Sequence, residues 1–224
     1  MANQLLARYG VVTREAAAQE NLPGGFGAVY DVLKAMEESG RVRRGYFVAG
    51  LGATQFALPS AVDLLRSLRQ SRMEKPEMVM LAATDPANPY GATLRWPTAE
   101  AEGEEDGQLR SLTRSVGASV VLRNGEMVAY LRRGNPNLQI FLPEEEPERT
   151  HAARDVAEFL VEITQREMTA RDGDRSAGLL VAQINGQSAG THLLAKFLQE
   201  AGFHAAPNGF NVRRPPSPAF LREE

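Results

Sequence analysis

Three helical patterns followed by two strand patterns open the sequence, and few folds accept that order. The first two helices are expected at Gln4–Arg8 and just after Thr13, a residue type that caps helix N-termini well. A break at residues 21–25, which contains Pro-Gly-Gly, separates them from a third helix. The apolar side chains of that helix recur at helical spacing up to Gly40, a typical stop.

Two strand patterns follow the third helix, at residues 41–48 and 54–58, with a glycine-rich turn between them. Three helices and a two-stranded ribbon in this order predict a winged helix, a variant of the helix-turn-helix fold. Ser60 then begins a further helix, and a Lys-Pro pair after it marks a boundary. The sequence therefore predicts a winged-helix domain with a following helix over residues 1–75.

Residues 76–214 are predicted to form a second, mostly antiparallel module. Asn124-Gly125 lies between two strand patterns, which is typical of a hairpin with a type I′ turn. Further strands or extended segments are expected at residues 78–82, 138–142, 179–184 and 203–212, and helices at residues 150–168 and 193–198. Several antiparallel strands in succession predict a small barrel or a curled sheet.

The predicted fold class is therefore α+β: a winged helix followed by a mostly antiparallel β-barrel module with flanking helices. The acidic segment at residues 99–107 is expected to be a mobile surface loop. Residues 215–224 are expected to form a flexible tail.

Composition excludes several kinds of site. The chain has no cysteine, so disulfides, thiolate nucleophiles and cysteine-based zinc sites are excluded. Its three histidines, at 151, 192 and 204, are spread along the chain, which argues against a histidine-rich metal site. There is no apolar run long enough for a membrane span and no signal-peptide pattern. We therefore expect a cytoplasmic protein that does not associate with a membrane.

Charge is unevenly distributed along the chain. Residues 1–75 carry 10 Lys and Arg against 7 Asp and Glu, whereas residues 76–150 carry 7 against 12. Of the 25 basic residues 22 are arginine, a side chain suited to phosphate forks and base stacking. A general arginine bias also follows from genome composition, and we regard that as the simpler explanation. Composition alone therefore identifies no binding site.

Four stretches of the sequence together carry a family resemblance. The longest are Gly40–Pro59 and Ala83–Gly91, the latter followed by Trp96-Pro97; the others are residues 124–142 and 193–203. These stretches resemble the large helicase-related (Lhr) group of DEAD/DEAH-box helicases. Together they span nearly the whole chain in order. The resemblance implies a piece of the region that follows the two motor domains in that family: a winged helix, then a β-barrel module with flanking helices. Because the family consists of 3′-to-5′ nucleic-acid translocases, it also implies nucleic acid and the motor domains as partners.

The motor chemistry itself is absent from the sequence. No Gly-x-x-x-x-Gly-Lys-Ser/Thr phosphate loop and no Asp-Glu-x-His box occurs. The chain therefore cannot hydrolyse ATP by that chemistry. ATP and magnesium would bind the motor domains, and no cofactor or metal is expected in this chain. Full-length bacterial members of the group are credited with uracil-DNA glycosylase activity, so whether the chain is itself an enzyme stays open; no position can be assigned to the catalytic residue.

Arg41, Arg43 and Arg44 place three positive charges at the start of the predicted ribbon. Alternation along a strand puts Arg41 and Arg43 on one face and Arg44 on the other. Such cations bind phosphates, which favours contact with nucleic acid. The alternative is a solvated strand edge whose charges prevent aggregation, and we weigh the two equally.

Lys34 on the third helix is a further candidate contact with nucleic acid. Asp31, Glu37 and Glu38 share that helix and would repel phosphate. Sequence-specific reading of the major groove is therefore not expected. Packing of the winged helix against the motor domains is an equal alternative.

Four more side chains are candidates for contacting a strand. Trp96 is the single tryptophan and could stack on a base, although such a residue more often belongs to a core or an interface. Arg123, Arg132 and Arg133 flank the Asn-Gly hairpin and could line a strand channel, with ordinary sheet exterior as the slightly favoured alternative. Asp85, in a proline-rich loop, could activate water for N-glycosidic cleavage, but a turn cap is the simpler interpretation.

Three functions remain in view. The leading hypothesis is a nucleic-acid-binding, strand-guiding module for single-stranded or duplex substrates, with no motor of its own. The second is a DNA glycosylase-like repair domain. The third is a scaffold that packs on the motor domains or forms a homo-oligomer, which the acidic pI of about 5.8 mildly favours over a free-standing DNA binder.

Overall fold

The structure is a computed structural model of the 224-residue chain, and it describes residues 1–70, 75–98, 112–170 and 178–212. The chain folds into two units, each with its own apolar core.

The two units do not follow the chain order strictly. The first comprises the described part of residues 1–74 together with residues 89–96, and the second comprises residues 75–88 with the described part of 97–224. The domain boundary at residue 75 and the flexible tail at 215–224 stay predictions. That tail and the acidic segment at 99–107 lie outside the described residues.

The described part of the first unit is mostly helical, with a small sheet. Its elements are α1 (Ala2–Tyr9), β1 (Val11–Val12), α2 (Arg14–Gln19), α3 (Gly27–Glu38), β2 (Arg43–Gly45), β3 (Gln55–Ala57) and α4 (Pro59–Gln70). The strands form an antiparallel sheet in the order β1-β3-β2. The predicted order of three helices and a ribbon is confirmed; β1 was missed because two residues are too short to show alternation.

Local chemistry accounts for the helices of this unit. Thr13 caps α2 by accepting a hydrogen bond from the N–H of Ala16 at 3.1 Å. Helix α3 buries Val29, Leu33 and Met36, which are spaced to share one face. Leu33 packs in the same core as Phe56 of β3, and both are fully buried. The core therefore holds α3 against the sheet.

The second unit contains most of the strands. Its described elements are β4 (Met78–Ala82), β5 (Ala118–Arg123), β6 (Glu126–Arg132), β7 (Asn137–Ile140), α5 (Glu148–Ala170), β8 (Leu180–Val181), β9 (Gln183–Ile184), β10 (Gln187–Ser188), α6 (Ala195–Ala201), β11 (Phe203–Ala206) and β12 (Gly209–Val212). One sheet has the order β10-β9-β7-β6-β5-β4, and a second has the order β11-β12-β8. All pairs are antiparallel except β7 with β9. Helices α5 and α6 pack in one core with residues of both sheets.

The predicted Asn-Gly hairpin is confirmed as the β5–β6 pair. Asn124 and Gly125 have φ angles of 50° and 86°, as a type I′ turn requires. The side chain of Asn124 also accepts a hydrogen bond from the N–H of Glu77 at 2.8 Å. The turn thereby ties the start of β4 to the hairpin.

The prediction of a β-barrel is not confirmed. Among the described residues the larger sheet ends at β10 and β4, and the three-stranded sheet is separate, so neither sheet closes on itself. The predicted strand at 179–184 divides at Ala182 into β8 and β9, which join different sheets. Alternation along the sequence indicates that a segment is extended, but its pairing partners depend on tertiary packing.

Candidate nucleic-acid interface

Residues 43–57, which comprise β2, β3 and the loop between them, are called the wing here. The loop is held by Gln55, whose side chain is fully buried. Its carboxamide oxygen accepts hydrogen bonds from the N–H groups of Phe47 at 2.8 Å and Val48 at 2.9 Å. Its Nε2 donates to the carbonyl oxygens of Val48 at 2.9 Å and Gly52 at 3.0 Å. One buried amide therefore satisfies four backbone groups and fixes the path of the loop.

These bonds also correct the predicted strand at residues 41–48. Strand β2 ends at Gly45 because the next backbone N–H groups, of Phe47 and Val48, bond to a side chain instead of a neighbouring strand. Sequence reasoning missed the role of Gln55, since a polar residue in a strand pattern normally faces solvent. The signal available was its place directly before the apolar Phe56-Ala57-Leu58 and just after a glycine-rich turn.

Tyr46 presents an aromatic ring on the wing. The residue is 62% exposed, and it is the one aromatic residue among the exposed large apolar residues that the structure describes. Its hydroxyl accepts a hydrogen bond from the N–H of Gly50 at 3.0 Å, so the ring is tied to the loop. Sequence analysis did not single out this residue, although an aromatic side chain two residues after an arginine cluster is a usable signal.

The three arginines at the base of the wing differ in their surroundings. Arg41 and Arg43 are exposed and form no ion pair with any described residue. The Arg44 Nε lies 3.3 Å from a carboxylate oxygen of Glu37 on α3. Val42, between Arg41 and Arg43, is buried, whereas all three arginines are exposed to solvent. Two exposed cations without an ion pair to a described residue therefore precede the exposed Tyr46 within five residues of chain.

Lys34 lies on the exposed side of α3, as Asp31 and Glu38 do. One of the three acids expected to repel phosphate, Glu37, is partly neutralised by Arg44. The helix as a whole still offers more exposed acid than base. Its surface is therefore less suited to a phosphate backbone than the wing is.

Trp96 belongs to the turn formed by residues 89–96. A Cβ built on Gly91 would lie 2.3 Å from ring atoms Cε2 and Cζ2 of Trp96, so the indole packs directly on the Gly91 backbone. Gly91 has a φ of 71° and its N–H donates to the carbonyl of Leu94 at 2.8 Å. The turn therefore covers part of the indole, and Trp96 is half-buried.

The structure does not bring Arg123 together with Arg132 and Arg133. Arg123 lies at the turn end of the β5–β6 hairpin, and the other two lie about 17 Å away at its open end, judged from the rise per strand residue. The Nε of Arg123 forms a half-buried ion pair with Asp155 of α5 at 2.7 Å. Arg132 donates to the hydroxyls of Thr113 at 2.7 Å and Ser115 at 3.3 Å, while Arg133 is exposed. Arg123 is therefore already used inside the second unit.

The proline-rich loop after β4 is built by side-chain hydrogen bonds. Asp85 Oδ1 accepts from the N–H of Ala87 at 2.8 Å, which is the turn cap expected for this residue. Arg114 donates to the carbonyls of Asn88 at 2.7 Å and Asp85 at 3.0 Å. Sequence analysis missed Arg114, because nothing in the local pattern links it to a loop some 26 residues away. Both side chains serve the loop's own conformation.

Glu15 of α2 contacts the wing. Its Oε1 accepts a hydrogen bond from the N–H of Gly52 at 3.4 Å, and its Oε2 is buried with no hydrogen-bond partner among the described residues. Burial by itself raises the pKa of this carboxyl. Hydrogen bonds from its own backbone N–H, from Thr13 and from Gly52 outweigh burial, so the Glu15 pKa lies below its ordinary 4.5.

Glu15 should make the stability of the first unit depend on pH. Because its pKa is lower in the folded than in the unfolded chain, it stabilises the fold above about pH 4.5, and that contribution is lost as pH falls through the folded pKa. Glu15→Gln is expected to lower the melting temperature most near neutral pH, with the difference from wild type shrinking towards about pH 3. Thermal unfolding by circular dichroism across this range measures it. Glu38→Gln is the matched control, since Glu38 bonds to no described residue; the same pH dependence in both variants would contradict the prediction.

The described residues contain no group of three potential metal ligands among His, Cys, Asp and Glu. In the same part of the chain, no helix combines the length and apolar character needed to cross a membrane.

The first unit corresponds to a known domain family. Residues 1–77 match the family model described as the winged-helix domain of the large helicase-related protein. The matched range contains α1 to α4 and the whole wing.

Two longer proteins align with almost the whole chain. The chain is 39% identical over 222 residues to the "Lhr helicase/ probable uracil glycosylase" of Mycolicibacterium smegmatis, covering 95% of the chain and 14% of that protein. It is 34% identical over 218 residues to the "Lhr helicase/uracil glycosylase" of Escherichia coli, covering 94% of the chain and 13% of that protein. The chain therefore spans about one seventh of the length of these relatives. Since both alignments extend over nearly all of its residues and its first unit matches the winged-helix domain of the same proteins, the chain belongs to the large helicase-related (Lhr) protein family.

Proposed function

We propose that this chain is a nucleic-acid-binding, strand-guiding module of an Lhr-type helicase, and that the wing is its main contact surface. The observation that carries the proposal is the exposed ring of Tyr46, on a loop fixed by Gln55, within five residues of the exposed Arg41 and Arg43 along the chain. Guanidinium groups bind phosphates, and an exposed aromatic ring stacks on bases of any sequence. Binding would therefore be sensitive to salt and weakly selective for sequence.

Helix α3 would contribute less than the wing. In many helix-turn-helix proteins the corresponding helix enters the major groove. Here Asp31 and Glu38 face solvent on that helix and Lys34 is the single exposed base among its described residues. The net negative charge of these three side chains disfavours a phosphate backbone laid along this face of α3, which supports the wing as the main contact surface.

ATP hydrolysis would belong to motor domains outside this chain. The sequence has no phosphate loop, while both relatives are named helicases and are about seven times longer. In this proposal the motor domains of the parent protein are the chain's protein partner, and ATP and magnesium bind there. The module would hold a strand that the motor moves.

Fluorescence anisotropy of labelled single-stranded and duplex DNA over a salt series tests the proposal. We expect micromolar binding at about 50 mM salt that weakens roughly tenfold or more by about 200 mM, since two or three phosphate contacts release that number of counterions. No binding to either DNA at low salt would overturn the proposal. A stable oligomer under those conditions, seen by light scattering, would then favour the scaffold function.

A glycosylase function is the second candidate, because the names of both relatives include uracil glycosylase. The carboxylate considered for this chemistry, Asp85, is engaged in a turn cap. Release of uracil from a uracil-containing oligonucleotide by this chain without ATP would favour the glycosylase function over simple binding. A lack of release would remove it.

A further inference from the structure

A groove with an aromatic floor lies in the first unit, at the start of α3. It has a volume of about 690 Å³ and is lined by Arg14, Phe26, Gly27, Tyr30 and Asp31. The rings of Phe26 and Tyr30 are 6.0 Å apart between centroids, and each packs on Phe56, at 6.5 Å and 5.9 Å. Phe56 is fully buried, so the core holds both rings in place.

Gly27 lines the groove and presents no side chain to it. A Cβ built on Gly27 meets no atom within 4 Å, although the residue is the first of α3 and has no conformational need to be glycine. A larger side chain at this position would therefore meet no clash at its Cβ. Phe26 and Tyr30 line the same groove, so a flat ligand that entered it would meet both residues.

The polar groups of the groove are not used by the protein. Arg14 and Asp31 are exposed, and neither forms an ion pair with the other or with any other described residue. The hydroxyl of Tyr30 likewise has no hydrogen bond within the described chain. A cation, a carboxylate and a hydroxyl therefore surround an apolar floor and remain available to a ligand.

We propose that this groove binds a single unpaired nucleotide and prefers guanine. The base would lie on Phe26 and Tyr30, and Arg14 would bind the adjacent phosphate. The Asp31 carboxylate accepts two hydrogen bonds at once, and guanine is the base whose edge presents two neighbouring donors, N1–H and the N2 amino group. This inference rests on the proposed function, since it assumes that the chain meets nucleic acid, and it adds a base-selective site to a wing that is not selective.

Oligothymidines with one central replacement test the site. We expect an oligonucleotide with a central guanine to bind about tenfold more tightly than one with an abasic position, because base–aromatic stacking contributes a factor of about five to one hundred. Hypoxanthine, which lacks the N2 amino group, should bind with intermediate affinity. Asp31→Asn should abolish the difference between guanine and hypoxanthine, and Gly27→Leu, which fills the groove, should abolish the difference between guanine and the abasic position.

Matched controls separate the groove from the rest of the surface. Glu38→Gln removes one acid from the same helix, and Ala35→Leu adds a leucine at an exposed position of α3 outside the groove; both should keep the guanine preference. If Gly27→Leu lowers the melting temperature, Arg14→Ala replaces it in the experiment. Arg14→Ala is expected to lower the affinity for every oligonucleotide that carries a central base.

Each outcome decides between the two proposals. Equal binding of the guanine, hypoxanthine and abasic oligonucleotides by the wild type, or a guanine preference that survives in Gly27→Leu and in Asp31→Asn, overturns the groove and leaves the wing proposal standing. No binding of any oligonucleotide by the wild type overturns both.

Discussion

The double variant Arg41→Gln/Arg43→Gln is expected to bind single-stranded and duplex DNA at least about tenfold more weakly than wild type at low salt. These two guanidinium groups are exposed at the base of the wing and have no counter-ion among the described residues. Each phosphate contact that is lost also removes one released counterion, so the slope of log affinity against log salt should fall by about 1.4 for single strands. Anisotropy titrations at several salt concentrations measure both quantities.

Arg44→Gln is the control for this experiment. Arg44 carries the same charge one residue away, but it is paired with Glu37 at 3.3 Å. Replacing Arg44 therefore leaves the Glu37 carboxylate without its ion pair. It should change the slope of log affinity against log salt less than replacing Arg41 or Arg43 does. Equal effects from all three positions would mean that net charge, and not the geometry of the wing, governs binding. Unchanged affinity in the double variant would exclude the wing as the contact surface.

Gln55→Met is expected to lower the free energy of unfolding of the first unit by about 2–4 kcal/mol. Methionine has nearly the same length, but it leaves the N–H groups of Phe47 and Val48 and the carbonyls of Val48 and Gly52 without their partner. These backbone groups can form hydrogen bonds with water only if the wing opens. The substitution is therefore expected both to lower the free energy of unfolding and to loosen the loop. Urea unfolding followed by circular dichroism gives the free energy.

The same variant should also weaken DNA binding, because a loosened loop no longer holds Tyr46 in place. Gln4→Met, the same substitution at an exposed position of α1, is the control for the change of chemistry and should alter stability by less than about 0.5 kcal/mol. A Gln55→Met protein as stable as wild type would show that the wing does not depend on this amide.

The helices of the first unit were predictable because their signals are local. The Thr13 cap, the apolar spacing of α3 and the glycine after it each act over one or two turns of chain. The Asn124-Gly125 turn is local in the same sense, since only residues that accept positive φ angles adopt it. That the described sheets stay open was not predictable from the sequence. Segment 179–184 supplies strands to two sheets, and alternation along a strand carries no information on its pairing partners.

The candidate site was predicted only in part. The arginine cluster stands out in the sequence, but alternation could not tell that Arg44 binds Glu37 while Arg41 and Arg43 stay unpaired. Tyr46 and Gln55 were missed because their roles depend on a loop whose hydrogen bonds come from a buried side chain. The groove at Gly27 was missed since its walls come from two helices separated by the Pro-Gly-Gly break.

The sequence by itself determined the order of helices and strands, the arginine cluster before the wing, and the absence of a phosphate loop. These are properties of residue type and spacing within a few positions of chain. Only the tertiary structure decided which charges remain free for a ligand, as Arg123 shows by pairing with Asp155, 32 residues away. The physical reason is that an ion pair, a buried amide or an aromatic floor needs atoms within a few ångströms of each other, and packing of distant segments alone sets those distances.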